Sequence, residues 1–318
     1  MFRNDLLFTR REHGGAASWI RFASAVAMAV GLIGCAGGPG LEDVLGTGYQ
    51  PMSLELDSTL AEPATHPLVS PLRPSNDRDW SPEQAVLARA EFDGDRVTIR
   101  RIRNFRHVSE NQHEAGYYDR AFRLSDIRSV DFLVVPFASA PDMAHTMLSF
   151  GFEGDQYVTV SVEARREKGE TYDSILGLLD RFELIYVVGD ERDLIQLRTN
   201  VWLDDVYLYR TQASPEQART LFLDVMHRVN QLAKKPEFYN TLTNNCTTNI
   251  IAHVNRLSPG RVPFDQRILL NGRSDRLAYD LGLLSPEGSF EELKAKSRVN
   301  YAAYLHRNQP DFSALIRQ

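Results

Sequence analysis

Two hydrophobic spacings divide the chain into elements. Ile250, Ile251, Val254 and Leu257 recur at helical spacing and give one apolar face. Asn244, Asn245, Thr247 and Thr248 precede or open that run, and their side-chain oxygens suit the unpaired N–H groups of a first turn. Pro259-Gly260 ends it. A longer helix is predicted from Ser214-Pro215 to about Ala233, with Leu221, Phe222, Val225, Val229 and Leu232 on its stripe. Alternation marks strands instead at His145–Phe152 and Tyr157–Glu163, around the turn Glu153-Gly154-Asp155-Gln156. Thr146, Leu148, Phe150 and Phe152 share an apolar face with Val158, Val160 and Val162. His145, Met147, Ser149 and Gly151 lie beside Tyr157, Thr159, Ser161 and Glu163 on the other. A hairpin centred on Gly154 sets His145 opposite Glu163, close enough for a carboxylate to hold an imidazole. A slip of one residue would turn Glu163 to the wrong face.

The remaining pattern is consistent with an α+β domain, an antiparallel sheet with packed helices. Val86–Phe92 and Arg96–Phe105 form a hairpin about Asp93-Gly94. Gly116–Arg120 is a polar aromatic loop, and Val130–Pro136 and Glu183–Val188 are buried strands. Arg165–Glu170 is a solvated strand end. Ser174–Phe182 is helical. Asp190–Asp193 is a salt-bridged corner, and Asp205–Tyr209 is a further strand. Asn271–Asp275 is a turn, and Pro286 onward is a peripheral helical tail.

The first residues require separate treatment. Arg3, Arg10, Arg11 and Arg21 precede the apolar run Phe22–Ile33, which is too short to span a bilayer and reads as a secretory signal. It ends in Leu32-Ile33-Gly34-Cys35, which resembles the bacterial lipobox and implies cleavage before Cys35 and lipidation of that residue. Ala36 then favours the outer membrane. The chain thus divides into a signal peptide over 1–34, a Pro/Ser/Gly-rich tether over 35–79 and a domain over 80–318. Loss of residues 1–34 removes four Arg and two acidic residues and moves the net charge from −6 to −8. So acidic a chain, without a basic patch, is a poor nucleic-acid binder. Only two of the 318 residues are Cys. With Cys35 lipidated, Cys246 has no disulfide partner, and a lone thiol in an oxidising compartment is either buried or does chemistry.

Chemistry favours the second. Cys246 opens a helix, where the helix N-terminus lowers a thiol's pKa. A thiolate nucleophile needs a base, and the base needs an orienting group. His145 and Glu163 supply them, and the Cys246 helix packed on the polar face of the 145–163 hairpin would bring its sulfur to His145. The order His, Glu, Cys differs from papain's, but geometry rather than order defines such sites. Backbone N–H groups of the Cys246 helix are the first candidates for an oxyanion hole, with Tyr239, Asn244 and Asn245 as side-chain candidates. His253 lies two turns from Cys246 and reads as a helix-face or capping residue, His227 as exposed, and His107 and His113 as flanking a polar loop. No metal-ligand spacing and no phosphate-binding Gly-rich motif is present, so no cofactor is expected.

The runs His145–Phe152, Val160–Glu170 and Tyr239–Asn249 resemble the Lnb-type lipoprotein N-acyltransferase periplasmic domain family over roughly residues 80–305. The resemblance implies a circularly permuted papain/NlpC-like cysteine hydrolase fold, with Cys246 as nucleophile and His145 as base. It implies an activity too: moving a fatty acyl chain from a lipoprotein's diacylglyceryl group to its N-terminal amine. A bacterial lipoprotein or phospholipid would be the acyl donor, in the periplasm, at a membrane held through the lipid anchor. A thiol amidase or peptidase acting on cell-wall peptide, and a non-catalytic envelope lipoprotein with a buried Cys246, are the alternatives. An acyl tunnel lined by Met147, Phe150 or helix residues would favour the acyltransferase.

Overall fold

Asp93-Gly94 joins β1 (Arg89–Asp93) to β2 (Arg96–Arg103), with Gly94 at φ +56°, the left-handed region that glycine enters without a Cβ clash. From this hairpin the computed structural model, which describes residues 73–318 except 111, 286 and 287, builds one large sheet and a small ribbon. The signal, the lipobox Cys35 and most of the tether lie outside the described residues. The ribbon is β3 (Arg106–Ser109) with β4 (Gln112–Glu114). The sheet adds β5 (Tyr117–Arg123), β6 (Ile127–Phe137), β7 (Ala140–Phe152), β8 (Gln156–Arg165), β9 (Glu183–Gly189) and β10 (Tyr207–Arg210). Its order is β1-β2-β9-β8-β7-β6-β10, with β5 also on β2, and every pairing is antiparallel except the single β2–β9 contact at Arg103 and Gly189.

Helices cover both faces. They are α1 (Ser174–Leu178), α2 (Glu191–Gln196), α3 (Pro215–Lys234), α4 (Cys246–Leu257), α5 (Gln266–Leu269), α6 (Ser274–Asp280), α7 (Phe290–Ser297), α8 (Asn300–Leu305) and α9 (Phe312–Leu315). The α+β reading holds. Ser214 caps α3 in a reciprocal box with Gln217, and the whole predicted stripe from Leu221 to Leu232 is buried. Each such side chain contributes about 1.5–3 kcal/mol of burial. That stripe packs with Leu148, Phe150, Val160, Cys246 and Ile250 into one core. Leu133, Val135, Met147, Ile185 and Val187 make a second core with Leu194, Ala303 and Phe312 on the other face.

The second core corrects several expectations. The His145–Glu163 face of the hairpin is covered: Met147, Ser149, Thr159 and Ser161 are all fully buried there. Tyr117–Arg120 belongs to a strand rather than a loop, because β2 lends it an edge to pair with. Arg165 is not a solvated strand end. Its guanidinium is 4.0 Å from the Trp80 ring and donates to the Gln84 and Ala85 carbonyls. The C-terminal tail is not peripheral either, since Phe312 and Ile316 are buried and Arg317 reaches two buried carboxylates. Contacts with the domain begin before Trp80, where the Ser75 N–H donates to Glu183 and the Asn76 amide to the Leu232 carbonyl.

Candidate active site

Polar side chains fix the start of α4. The Asn245 side chain accepts from the Thr248 N–H at 2.9 Å, and Thr248 Oγ1 accepts from the Asn245 N–H at 2.8 Å. Asn245 Nδ2 donates to the Thr241 carbonyl, and Asn249 Nδ2 donates to Asn244 Oδ1. Asn244 in turn donates to the Phe238 carbonyl. Both asparagines therefore spend their polar atoms building the loop and cap, which weakens them as oxyanion donors. Orphan N–H groups belong to any first helical turn, and those of Cys246 and Thr247 have no partner among the described residues. Cys246 is 5% exposed. Its sulfur lies 3.9 Å from the Ala144 carbonyl oxygen, Thr247 Oγ1 and Asn271 Nδ2 alike.

The hairpin register is as predicted, with Gly151 on Tyr157 and Met147 on Ser161. Beyond Met147–Ser161 the two strands part, while β8 stays paired to β9 as far as Arg165. A cavity of about 180 Å³ opens in this fork. Ala144 and His145 line it from one arm, Glu163 and Ala164 from the other, and Cys246, Tyr239 and Asn271 close it. The expectation that α4 would pack on the His145 face is wrong. It packs on the opposite face, where Thr247 Oγ1 is 3.2 Å from Thr146 Oγ1. The fork is what lets both residues reach one space. No hydrogen bond joins His145 to Cys246 among the described residues.

Nor does Glu163 touch His145 directly. Ser161 stands between them: its hydroxyl donates to Glu163 Oε1 at 2.7 Å and lies 2.7 Å from His145 Nε2. A hydroxyl has one proton, so with it given to Glu163, Ser161 accepts from Nε2–H. The network assigns the proton of neutral His145 to Nε2 and leaves Nδ1 bare to take another. Glu163 also accepts from Gln84 Nε2 at 2.9 Å and from Arg198 at 3.3 Å. Loss of solvent raises Glu163, but Arg198 and Arg103 outweigh it and hold the carboxyl at about 2. Loss of solvent and then the Arg198 charge push His145 down to about 3, against the pull of Glu163.

A test follows from that value. The His145 ring should stay neutral from pH 8 to pH 5, and long-range ¹H–¹⁵N spectra should show the Nε2–H tautomer throughout. A ring that titrates near 6.5 would contradict the burial and the Arg198 contact together. The sign for stability is that the folded value lies below the unfolded one, so the unfolded chain takes up this proton first. Stability is lost as pH falls from about 6.5 toward 3.

Two features escaped the sequence. Asn271 was read as part of a turn, yet it is 4% exposed and links β7 to α4. Its side chain accepts from the Ala144 N–H and donates to the Ala144 carbonyl, both at 2.8 Å, and donates to Thr247 Oγ1 at 2.7 Å. It therefore ties the neighbour of His145 to the neighbour of Cys246. Gly272 permits this, since a Cβ there would meet the Pro141 carbonyl oxygen at 2.1 Å. The second is a buried relay beneath α4. His253 is not an outer helix-face residue: Nδ1 lies 2.6 Å from Asp224, Nε2 lies 3.0 Å from the Tyr186 hydroxyl, and that hydroxyl donates to Asn249. Only the spacing of His253 on the Cys246 and Ile250 side of the helix hinted at it.

Residues 114–272, half of the chain, match the Lnb N-terminal periplasmic domain family. The chain belongs to that family. No curated protein and no solved structure matches it. The part of this Lnb-type chain that matches contains His145, Ser161, Glu163, Cys246 and Asn271. A periplasmic location fits the family. Among the described residues no helix is long and apolar enough to cross a membrane.

Proposed function

We propose that this Lnb-type domain is a cysteine acyltransferase that carries a fatty acyl chain on Cys246, from the diacylglyceryl group of a lipoprotein to an N-terminal amine. One observation carries the reading. A second cavity of about 770 Å³ runs along the flank of the cysteine helix, in the range of about 300–1,000 Å³ usual for ligand pockets. Its apolar wall includes Phe132, Leu148, Ile251, Val254 and Leu277. Thr247 lies in that wall, hydrogen-bonded to Asn271 in the thiol cavity, so one residue's thickness separates the two spaces. Strand residues of β6 and β7 and helix residues of α4 and α6 form it rather than Met147 or Phe150, which are fully buried in the cores. An aliphatic chain suits this wall, and a cell-wall peptide does not.

In the proposed cycle His145 Nδ1 takes the thiol proton and the Cys246 sulfur attacks the ester carbonyl. The Cys246 and Thr247 N–H groups receive the oxyanion. Collapse breaks the C–O bond, and His145 returns the proton to the departing glyceryl oxygen, leaving a thioester. The amine then attacks the thioester carbon, gives its proton to His145, and leaves as the amide while the thiol is restored. Glu163 acts through Ser161 to hold the ring.

The test uses a diacylglyceryl lipopeptide whose α-amine is acetylated, so that the second half-reaction has no acceptor. Intact mass spectrometry should show one fatty-acyl increment, removed by hydroxylamine and absent from Cys246→Ala. No increment on a protein whose Cys246 still alkylates rapidly would move the assignment to amide hydrolysis.

A further inference from the structure

Five large apolar side chains are exposed on the turn that borders the thiol cavity and on the helix beside that turn. They are Trp202 and Leu203, 37% and 64% exposed, and Tyr301, Tyr304 and Leu305 at 76%, 59% and 52%. The first two end a π-helical turn, Leu197–Trp202, a rare geometry found often at functional sites. Leu203 caps it at φ +59°, a left-handed backbone that costs a bulky residue free energy and here turns its side chain toward solvent. The other three sit at i, i+3 and i+4 of α8, on one outward face. α8 lies alongside the turn and is stitched to it at both ends. The Asn300 side chain bonds the Val206 N–H and the Asp204 carbonyl just past Leu203, and Gln196 donates to the Arg307 carbonyl just past Leu305.

The same turn reaches into the site. Arg198 is on Glu163 and 5.5 Å from the Trp202 ring, and Trp202 itself lines the cavity. We infer that this face is the surface by which the protein lies on a lipid bilayer, with the mouth of the Cys246 cavity at the membrane–water boundary. Single exposed apolar residues need no explanation, but a cluster of them marks an interaction surface. Trp and Tyr, an apolar body with a polar tip, concentrate where a bilayer meets water. Arg307, 4.5 Å over the Tyr304 ring, adds a cation at the level of phosphate headgroups. The start of the described chain agrees. Asn76 bonds Arg165, next to the cavity-lining Arg166, and Gln84 lines the cavity too, so the first described residues lie near this site. The inference rests on the acyltransferase reading only for the benefit of the contact, which is to let a membrane-held ester reach the thiol.

Tryptophan fluorescence tests it without turnover. Of the three Trp, Trp19 precedes the cleavage site, and Trp80 is 8% exposed beneath Arg165. The full chain, bound to phosphatidylethanolamine–phosphatidylglycerol vesicles with brominated acyl chains, should lose the Trp202 emission. Trp202→Phe should show no such loss. The Leu203→Asp/Tyr301→Asp pair should abolish the quenching with its melting temperature retained. Unquenched wild-type emission overturns the inference, as does quenching that survives the double substitution. A vesicle-bound dimer in which Trp202 crosslinks to a second copy overturns it as well. Quenching in Cys246→Ala beside a failed thioester assay would sink the chemistry and keep the surface. A thioester formed without quenching would do the reverse.

Discussion

Replacing His145 with alanine should slow acylation of Cys246 by about 10²–10⁴-fold, the range for loss of a positioned general base. The melting temperature should change little by comparison, because His145 makes one side-chain hydrogen bond and belongs to neither core. Glu163→Gln should cost less, since Glu163 acts only by holding Ser161, and Ser161→Ala should match it. The informative variant is the double one. Ser161 and Glu163 act in series on one ring nitrogen, so Ser161→Ala/Glu163→Gln should be no slower than the worse single variant. Rates of thioester formation measured under single turnover check all four. An alanine at 145 that acylates within threefold of wild type would remove His145 from the chemistry. Additive costs at 161 and 163 would mean that Glu163 touches the reacting groups some other way.

How the site was legible, and where it stopped being so, follows from the range of the interactions. The cap of α4 is local: Asn245 and Thr248 are three residues apart, and their reciprocal bonds can be read from spacing alone. The register of β7 on β8 is nearly local, because a turn at Gly154 leaves few ways to pair two alternating strands. The fork was not legible. Nothing in either strand says that β8 stays with β9 after leaving β7, and so the helix was placed on the wrong face to bring sulfur and imidazole together. Ser161 was read as one polar position among several, yet the parting of the strands makes it the link between His145 and Glu163. Asn271 and Arg198 lie far from the hairpin in sequence and enter the site only through tertiary packing. The buried face carrying Met147, Ser149 and Ser161 had the same cause: its polar members are satisfied by partners from distant segments, so polarity did not mean solvent.

The clearest case of such a partner is Arg317, whose replacement by alanine should produce the largest stability loss in the molecule. Its guanidinium donates to Asp131 at 2.9 Å and to Glu191 at 2.8 Å, and lies 3.6 Å from the Tyr157 ring. Asp131 and Glu191 are fully buried; Arg210 contacts Asp131, and the Ser149 hydroxyl donates to Glu191. Removing one partner of a buried ion pair costs about 3–5 kcal/mol, because the remaining charge stays desolvated. At about 2–4 °C per kcal/mol for a domain of this size, the melting temperature should fall by roughly 6–20 °C. The dependence on pH identifies the cause. Burial already raises Asp131 even with both arginines present, and without Arg317 it would rise further. A carboxyl raised in the folded state is penalised as pH climbs through its folded value and not below its unfolded one. The gap between wild type and Arg317→Ala should therefore narrow as pH is lowered from 8 to 5. A gap that is constant or widens in acid would assign the loss to the packing of α9 instead of to the stranded carboxylates. Since α2, which carries Glu191, leads directly into the turn that holds Arg198, loosening here should also weaken the grip on Glu163.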